Sequence, residues 1–231
     1  MDNKPILNKN IEDAFASNKS KLDEAYDVIK QLILSNTLTP GTILVETQLS
    51  NLLNISRTPI RAALRELVND KLVVNFLGRG MAVASITIDD VVEIYEIREV
   101  LDVLALRLFL RNVSPVQIEE LKEHANQMQK ALENKDFPLF IQHDMEFHDC
   151  YLNNTGNARL ASIVKSLHDQ IRRFLSLAGY DEIKCRISLE DHRKVMAAIE
   201  SGDYKQAEIY LNEHITKSRD YHISKLTKKQ Y

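Results

Sequence analysis

Residues 50–80 read SNLLNISRTPIRAALRELVNDKLVVNFLGRG. A short apolar helical segment ends at Asn54, a residue that tolerates the left-handed conformation of a helix C-terminus. Ser56 stands where an N-cap is needed, and Pro59 lies in the next first turn, where a missing N–H costs nothing. Ile60, Ala63, Leu64 and Leu67 recur at helical spacing and predict one buried stripe. Residues 72–75 and 81–85 are β-prone runs able to pair across 76–80. Helix, turn, helix and hairpin, in that order, are the parts of a helix-turn-helix with a β-wing.

Upstream, Leu22, Ala25, Ile29, Leu32 and Ile33 predict a helix over residues 21–34, broken by Pro40-Gly41. Residues 46–53 form the first helix of the motif, with Leu49, Leu52 and Leu53 turned inward. Residues 1–20 are read as an N-terminal extension, and a linker over 86–89 closes a first domain spanning 1–86. Residues 87–231 predict six helices and no strands, at about 89–112, 115–133, 136–154, 157–179, 182–200 and 203–226. Ser114-Pro115 and Asp136 supply N-caps, while Gly156-Asn157 and Ser201-Gly202 supply breaks. The basic tail after Ile215, with Lys217, Arg219, Lys225, Lys228 and Lys229, is read as a frayed, solvated end. The expected fold class is mainly α: an N-terminal winged helix-turn-helix followed by an all-α six-helix bundle.

Six Gly and five Pro are too few for a loop-rich all-β protein. No apolar run approaches the ~20 residues of a membrane span, and the polar N-terminus lacks a signal-peptide core. A cytoplasmic protein without membrane association is therefore expected. Cys150 and Cys185 have neither CxxC spacing nor further partners for a disulfide framework. The net charge of −3 argues against bulk polyanion binding, and residues 21–86 hold seven basic and six acidic groups. Any nucleic-acid contact must come from where individual arginines sit.

A helix that points its N-terminus at DNA offers free backbone N–H groups and a positive dipole end to phosphate. Arg57, at that end, can pair bidentately with a guanine edge, and Arg61 follows one turn later. Thr58 offers a hydroxyl to phosphate or base. Gly78 and Gly80 permit a tight hairpin tip, with Arg79 between them for the minor groove or for phosphate. Singly these are an ordinary capped helix start and a polar hairpin. In this order, within about 30 residues, they point to double-stranded DNA.

In the second domain Asp144 and His148 stand four apart on one helix and project from one face. His192 and His214 lie on later helices at similar depth from their N-terminal ends. Three imidazoles and one carboxylate are a ligand set for a divalent transition metal, with positions left open for water or a ligand. The residues alone equally allow ordinary polar positions at bundle ends. His124, His143, His168 and His222 are read in that second way, as solvent-facing or capping residues.

These stretches resemble the GntR-type bacterial transcription regulators, through Pro40-Gly41, SRTPIRAAL at 56–64 and GRG at 78–80. The resemblance over residues 21–86 implies DNA contacts at Arg57, Thr58 and Arg61 beside Ser56, with Gly78 and Arg79 in the wing. Thr47 occupies a phosphate-contact position where many members carry a basic residue, and Ala62 replaces the usual Glu after the second Arg. Residues 89–231 resemble the all-helical FCD ligand-binding domain of the FadR-type subgroup. HDMEFHDCYLNNTGNARL (143–160) is similar to its D-x-x-F-H…GN segment, and LEDHRKVMAAIESGDYKQAEIYLNEHI (189–215) to its E-H-x-x-I…G-D…A…H segment.

That resemblance implies a divalent metal at Asp144, His148, His192 and His214, zinc first and nickel or manganese as alternatives. Asp191 replaces the common Glu before His192. It also implies a small organic acid as effector, gripped by the metal and a nearby Arg. Arg98 is the candidate for that cation, set against a plain i,i+4 salt bridge with Asp102, while Arg172 and Arg173 are read as solvated. The expected assembly is a homodimer through the helical domains, on a pseudo-palindromic operator.

A metal-dependent enzyme acting on a small carboxylate is the alternative, with Glu146 or Asp149 as base. At helical spacing these lie about 200° and about 140° from Asp144, so neither faces the metal easily. No nucleophile elbow, phosphate-binding loop or dinucleotide fingerprint is present. A helical scaffold with a purely structural metal is the third reading.

Overall fold

The computed structural model describes residues 20–76, 80–178 and 181–229, and the chain divides into two compact units at Ile86–Thr87. The first unit contains α1 (Lys21–Leu34), β1 (Ile43–Leu44), α2 (Glu46–Leu53), α3 (Arg57–Asn69), β2 (Val73–Phe76) and β3 (Gly80–Val83). Ser20 and Asp23 close a reciprocal capping box at the start of α1. Ala25, Ile29, Leu32 and Ile33 from α1 then pack with Leu49, Leu53, Ile60, Leu64 and Leu67 into one apolar core. Most of the extension expected at 1–20 lies outside the described residues.

The turn between α2 and α3 follows from local chemistry. Asn54 takes the left-handed conformation, with φ 53°. The Ser50 hydroxyl donates to the Ile55 carbonyl at 2.7 Å, and the Ile55 side chain is buried beneath the turn. Leu52, expected inward, is exposed. An eight-residue helix turns one narrow edge to the core, here Leu49 and Leu53, and Leu52 lies about 100° off the Leu53 direction.

The sheet is antiparallel in the order β1-β3-β2, with Leu44 opposite Met81 and Val73 opposite Val83. β1 was not expected, because two residues carry no readable alternation. Gly41, at φ 80°, bends the chain so that its N–H reaches the Val83 carbonyl at 2.9 Å. Val83 N–H answers to Thr42 O at 2.9 Å, which adds the third strand.

The second unit is six helices: α4 (Ile88–Leu110), α5 (Pro115–Glu133), α6 (Phe137–Asn153), α7 (Ala158–Ala178), α8 (Glu182–Glu200) and α9 (Tyr204–Lys229). Side-chain caps open them: Thr87 with Asp90, Ser114 with Gln117, and Asp136 and Asp181 alone. α9 packs on α4 and α8, α6 on α5 and α7, and α8 on α5. The basic tail does not fray after Ile215. Lys217 pairs with Asp191 at 2.8 Å, Arg219 with Glu99 at 2.5 Å and Lys225 with Asp181 at 3.2 Å, so these charges brace α9 instead. Cys150 and Cys185 are both free and buried. Among the described residues no helix is long and apolar enough to cross a membrane.

Candidate functional site

The first candidate surface is the exposed start of α3. Ser56 has extended N-cap geometry, yet its hydroxyl makes no capping bond. Arg57 and Thr58 are exposed beside it, so the first-turn N–H groups and a hydroxyl share one open end. Arg61 Nε and Nη2 donate to the two Glu46 oxygens at 2.8 and 2.7 Å, tying α3 to the first turn of α2 beside half-buried Thr47. Arg61, helped by Arg57 and Arg65, holds the Glu46 carboxyl below its ordinary range. Arg57, Arg61 and Arg65 follow at four-residue spacing, a basic row along one helical face. Gly78 and Arg79 lie outside the described residues.

The second candidate is inside the helical unit. His148 on α6, His192 on α8 and His214 on α9 are buried, and their ligand-type nitrogens all lie within 4.8 Å of one another. His148 Nε2 stands 3.3 Å from His192 Nε2. Two nitrogens bound to one tetrahedral zinc stand about 3.3–3.4 Å apart, since each lies about 2.0–2.1 Å from the metal. The outer ring nitrogens of His148 and His192 are held by hydrogen bonds, as those of metal ligands are. His192 Nδ1–H donates to the Ser188 carbonyl at 2.7 Å, which leaves Nε2 as a lone pair. His148 Nδ1 meets the Tyr151 hydroxyl at 2.7 Å, and His214 Nδ1 faces Asp191 Oδ2 at 3.9 Å.

Asp144 Oδ1 lies 3.7 Å from His192 Nε2 and accepts from the Ser188 hydroxyl at 2.8 Å. It therefore borders the histidines without being part of their tight trio. Burial, followed by the neighbouring His192, keeps His148 and His214 well below the ordinary imidazole range. Neutral rings are the ligand form. Lone pairs and a carboxylate converging in a desolvated place fit a cation and little else.

His148, His214 and Asp144 border a cavity of about 40 Å³ that Tyr95, Arg98, Lys184 and Ser218 also line. Arg98 donates to Asp102 Oδ2 through Nε at 3.0 Å and Nη2 at 2.8 Å. His168 Nε2 approaches both Asp102 oxygens at 3.2 Å. Burial alone would raise the Asp102 carboxyl, but Arg98 and His168 hold it well below the carboxylate range, so the pair is ionised.

Set beside known proteins, residues 21–83 match the gntR family of bacterial regulatory proteins, and residues 93–217 match the FCD domain. The uncharacterized HTH-type transcriptional regulator YdhC of Bacillus subtilis (strain 168) is 28% identical over 192 residues, 82% of this chain and 85% of that one. The gluconate operon transcriptional repressor of Bacillus licheniformis is 26% identical over 199 residues, 86% of this chain and 77% of that one. Among solved structures, E. coli McbR/YncC has the same fold, with a TM-score of 0.79 at 22% identity over 92% of this chain and 100% of that one. The chain belongs to the GntR family. It is a DNA-binding transcription regulator with an FCD domain, and not an enzyme.

In this GntR-family chain several polar residues sit where periodicity did not put them. His168 and His222, read as solvent-facing, are buried: His168 lies on Asp102, and His222 Nδ1 meets Tyr95 OH at 2.7 Å. Arg173, read as solvated, is buried, and its pKa falls to about 10 through burial, against the pull of Asp90. Arg172 is half-buried, 4.0 Å from Asp149. Arg98 makes the i,i+4 salt bridge with Asp102 and also lines the cavity. Arg65 was missed, although its spacing from Arg61 was there to read. Tyr151 and Ser188, which meet His148 and His192 from behind, were beyond reach, because nothing in a sequence says which side chains stand behind a buried ring.

Proposed function

We propose that the first unit reads an operator, and that the second sets its affinity in response to a small carboxylic acid held at a divalent metal. The observation that carries this reading is the convergence of His148, His192 and His214 beside Asp144, with His148, His214 and Asp144 on the cavity wall. Three nitrogens and one oxygen suit zinc first, with nickel or manganese as alternatives. A bound divalent ion supplies open coordination positions where a carboxylate can replace water. Arg98 gives Nε and Nη2 to Asp102 and lines the cavity, where its guanidinium is a cation at hand for the incoming acid. A cavity of about 40 Å³ has room for on the order of three solvent-sized positions, which favours a short acid.

On the DNA side Arg57, Thr58 and Arg61, beside Ser56 and Thr47, carry base and phosphate contacts, with Arg65 extending the row and Gly78 and Arg79 in the wing. Arg61 changes partner from Glu46 to DNA when it binds. Ile97 and Val100, exposed on α4 one turn apart, support a homodimer through the helical units. Such a dimer presents two reading heads to a pseudo-palindromic operator. The acid acts only through unequal affinity for the DNA-competent and incompetent arrangements.

A thermal-shift screen of small organic acids on metal-stripped and zinc-loaded full chain tests the reading, followed by selection of duplexes with the hit present. One acid class should raise the melting temperature only when zinc is loaded, and should change affinity for the selected duplex. Equal stabilisation without zinc, or no preference for any duplex over random competitor, sinks it.

A further inference from the structure

Away from the buried centre, the described residues hold a second group of ligand-type side chains. His124 stands on α5, and His143 and Glu146 stand on the neighbouring α6. His143 Nδ1 lies 2.9 Å from Glu146 Oε2. His124 Nδ1 lies 3.4 Å from that same oxygen and 3.4 Å from His143 Nδ1. Gln142 Nε2 donates to the other oxygen, Oε1, at 2.9 Å, which turns Oε2 toward the two rings. The three side chains are 21%, 17% and 35% exposed for His124, His143 and Glu146, so ions in solution can reach them.

A hydrogen bond accounts for the contact between His143 and Glu146. His124 is held more loosely: at 3.4 Å it is within hydrogen-bonding range of His143 Nδ1, but both of its separations exceed the roughly 2.7–2.9 Å of a charge-assisted bond. The two separations from His124, 3.4 Å each, match the edge of a tetrahedral zinc site, while the 2.9 Å between His143 and Glu146 is that of their hydrogen bond. Nitrogen and oxygen ligands about 2.0–2.2 Å from zinc stand about 3.3–3.5 Å apart at the tetrahedral angle.

We propose that His124, His143 and Glu146 form a second, solvent-accessible site for a divalent transition metal such as zinc, bridging α5 and α6. Two imidazoles and one carboxylate leave a coordination position for water. The outer site shares α6 with the buried centre. Residues 143 and 146 point to one side of that helix, and 144 and 148 point about 150° away. An ion here fixes to α5 the same turn of α6 that presents Asp144 and His148.

The full chain is stripped with a chelator and dialysed against buffered zinc, and bound metal is counted by mass spectrometry. Wild type should take two ions per protomer. His124→Gln and His143→Gln should each take one fewer, with metal-free melting temperatures unchanged. His192→Gln separates the two sites, since it should spare the outer ion. A wild type that binds one ion and loses it in His124→Gln supports the outer site while removing the buried one. Outer-site variants that bind as many ions as wild type overturn the proposal. Wild-type carbethoxylation gives a readout without variants: zinc should protect His124 and His143, and unchanged modification of both also overturns it.

Discussion

Asp102→Ala separates a buried ion pair from a decorative one. Asp102 is fully buried and Arg98 only 4% exposed, and both guanidinium bonds, at 3.0 and 2.8 Å, end on one carboxylate oxygen. Arg cannot shed its proton, so removal of the carboxylate strands a positive charge in the bundle. His168 adds to the cost: burial lowers its pKa, but Asp102 and then Asp149 carry it above the ordinary imidazole value, so loss of Asp102 withdraws support from this ring as well. Breaking a buried pair from one side costs about 3–5 kcal/mol, a large share of the roughly 5–15 kcal/mol that holds a domain together. At about 2–4 °C per kcal/mol, the melting temperature should fall by about 6–20 °C. The double variant Arg98→Met/Asp102→Leu removes both charges and should recover to within about 1 kcal/mol of wild type. Urea unfolding followed by circular dichroism, in chelator at pH 7, measures both without metal masking the loss. A single variant within about 1 kcal/mol of wild type, or a double variant no better than the single, would refute the reasoning.

Arg57→Ala should weaken specific operator binding by about 1–3 kcal/mol in gel-shift titration, and unchanged affinity would remove Arg57 from the reading set. Glu46→Gln should free Arg61 and tighten operator binding at low salt by no more than about fivefold, an effect that fades as salt rises. Burial pushes the Cys150 and Cys185 thiols up to about 12, so neither should react with iodoacetamide at pH 8 until denaturant is added. Fast labelling of the native protein would show that α6 or α8 opens locally.

The architecture was legible because its signals are local. A four-residue apolar rhythm, Asn54 at a helix end and Pro59 in a first turn each specify a short piece of backbone. Those pieces admit few arrangements once a hairpin follows. β1 was not legible, because its strand character comes from Gly41 and Thr42 meeting Val83, forty residues later in the chain. The tail misled for a related reason. Lys217, Arg219 and Lys225 look like a solvated run until Asp191, Glu99 and Asp181 are brought opposite them.

The interior of the helical unit marks where periodicity stops being informative. Helical spacing places Asp144 and His148 on one face of α6, and the structure puts that face against His192 and His214. The same spacing says nothing about depth, and in this bundle depth decides what a histidine does. At the surface His168 would be one more solvated ring. At the centre it must answer to Asp102, which must answer to Arg98, so one buried charge obliges the next. Arg98, Asp102 and His168 form a connected set in which no member is buried alone. Arg98 is what links that set to the cavity: its charge, already balanced by Asp102, adds no uncompensated cation beside His148 and His214.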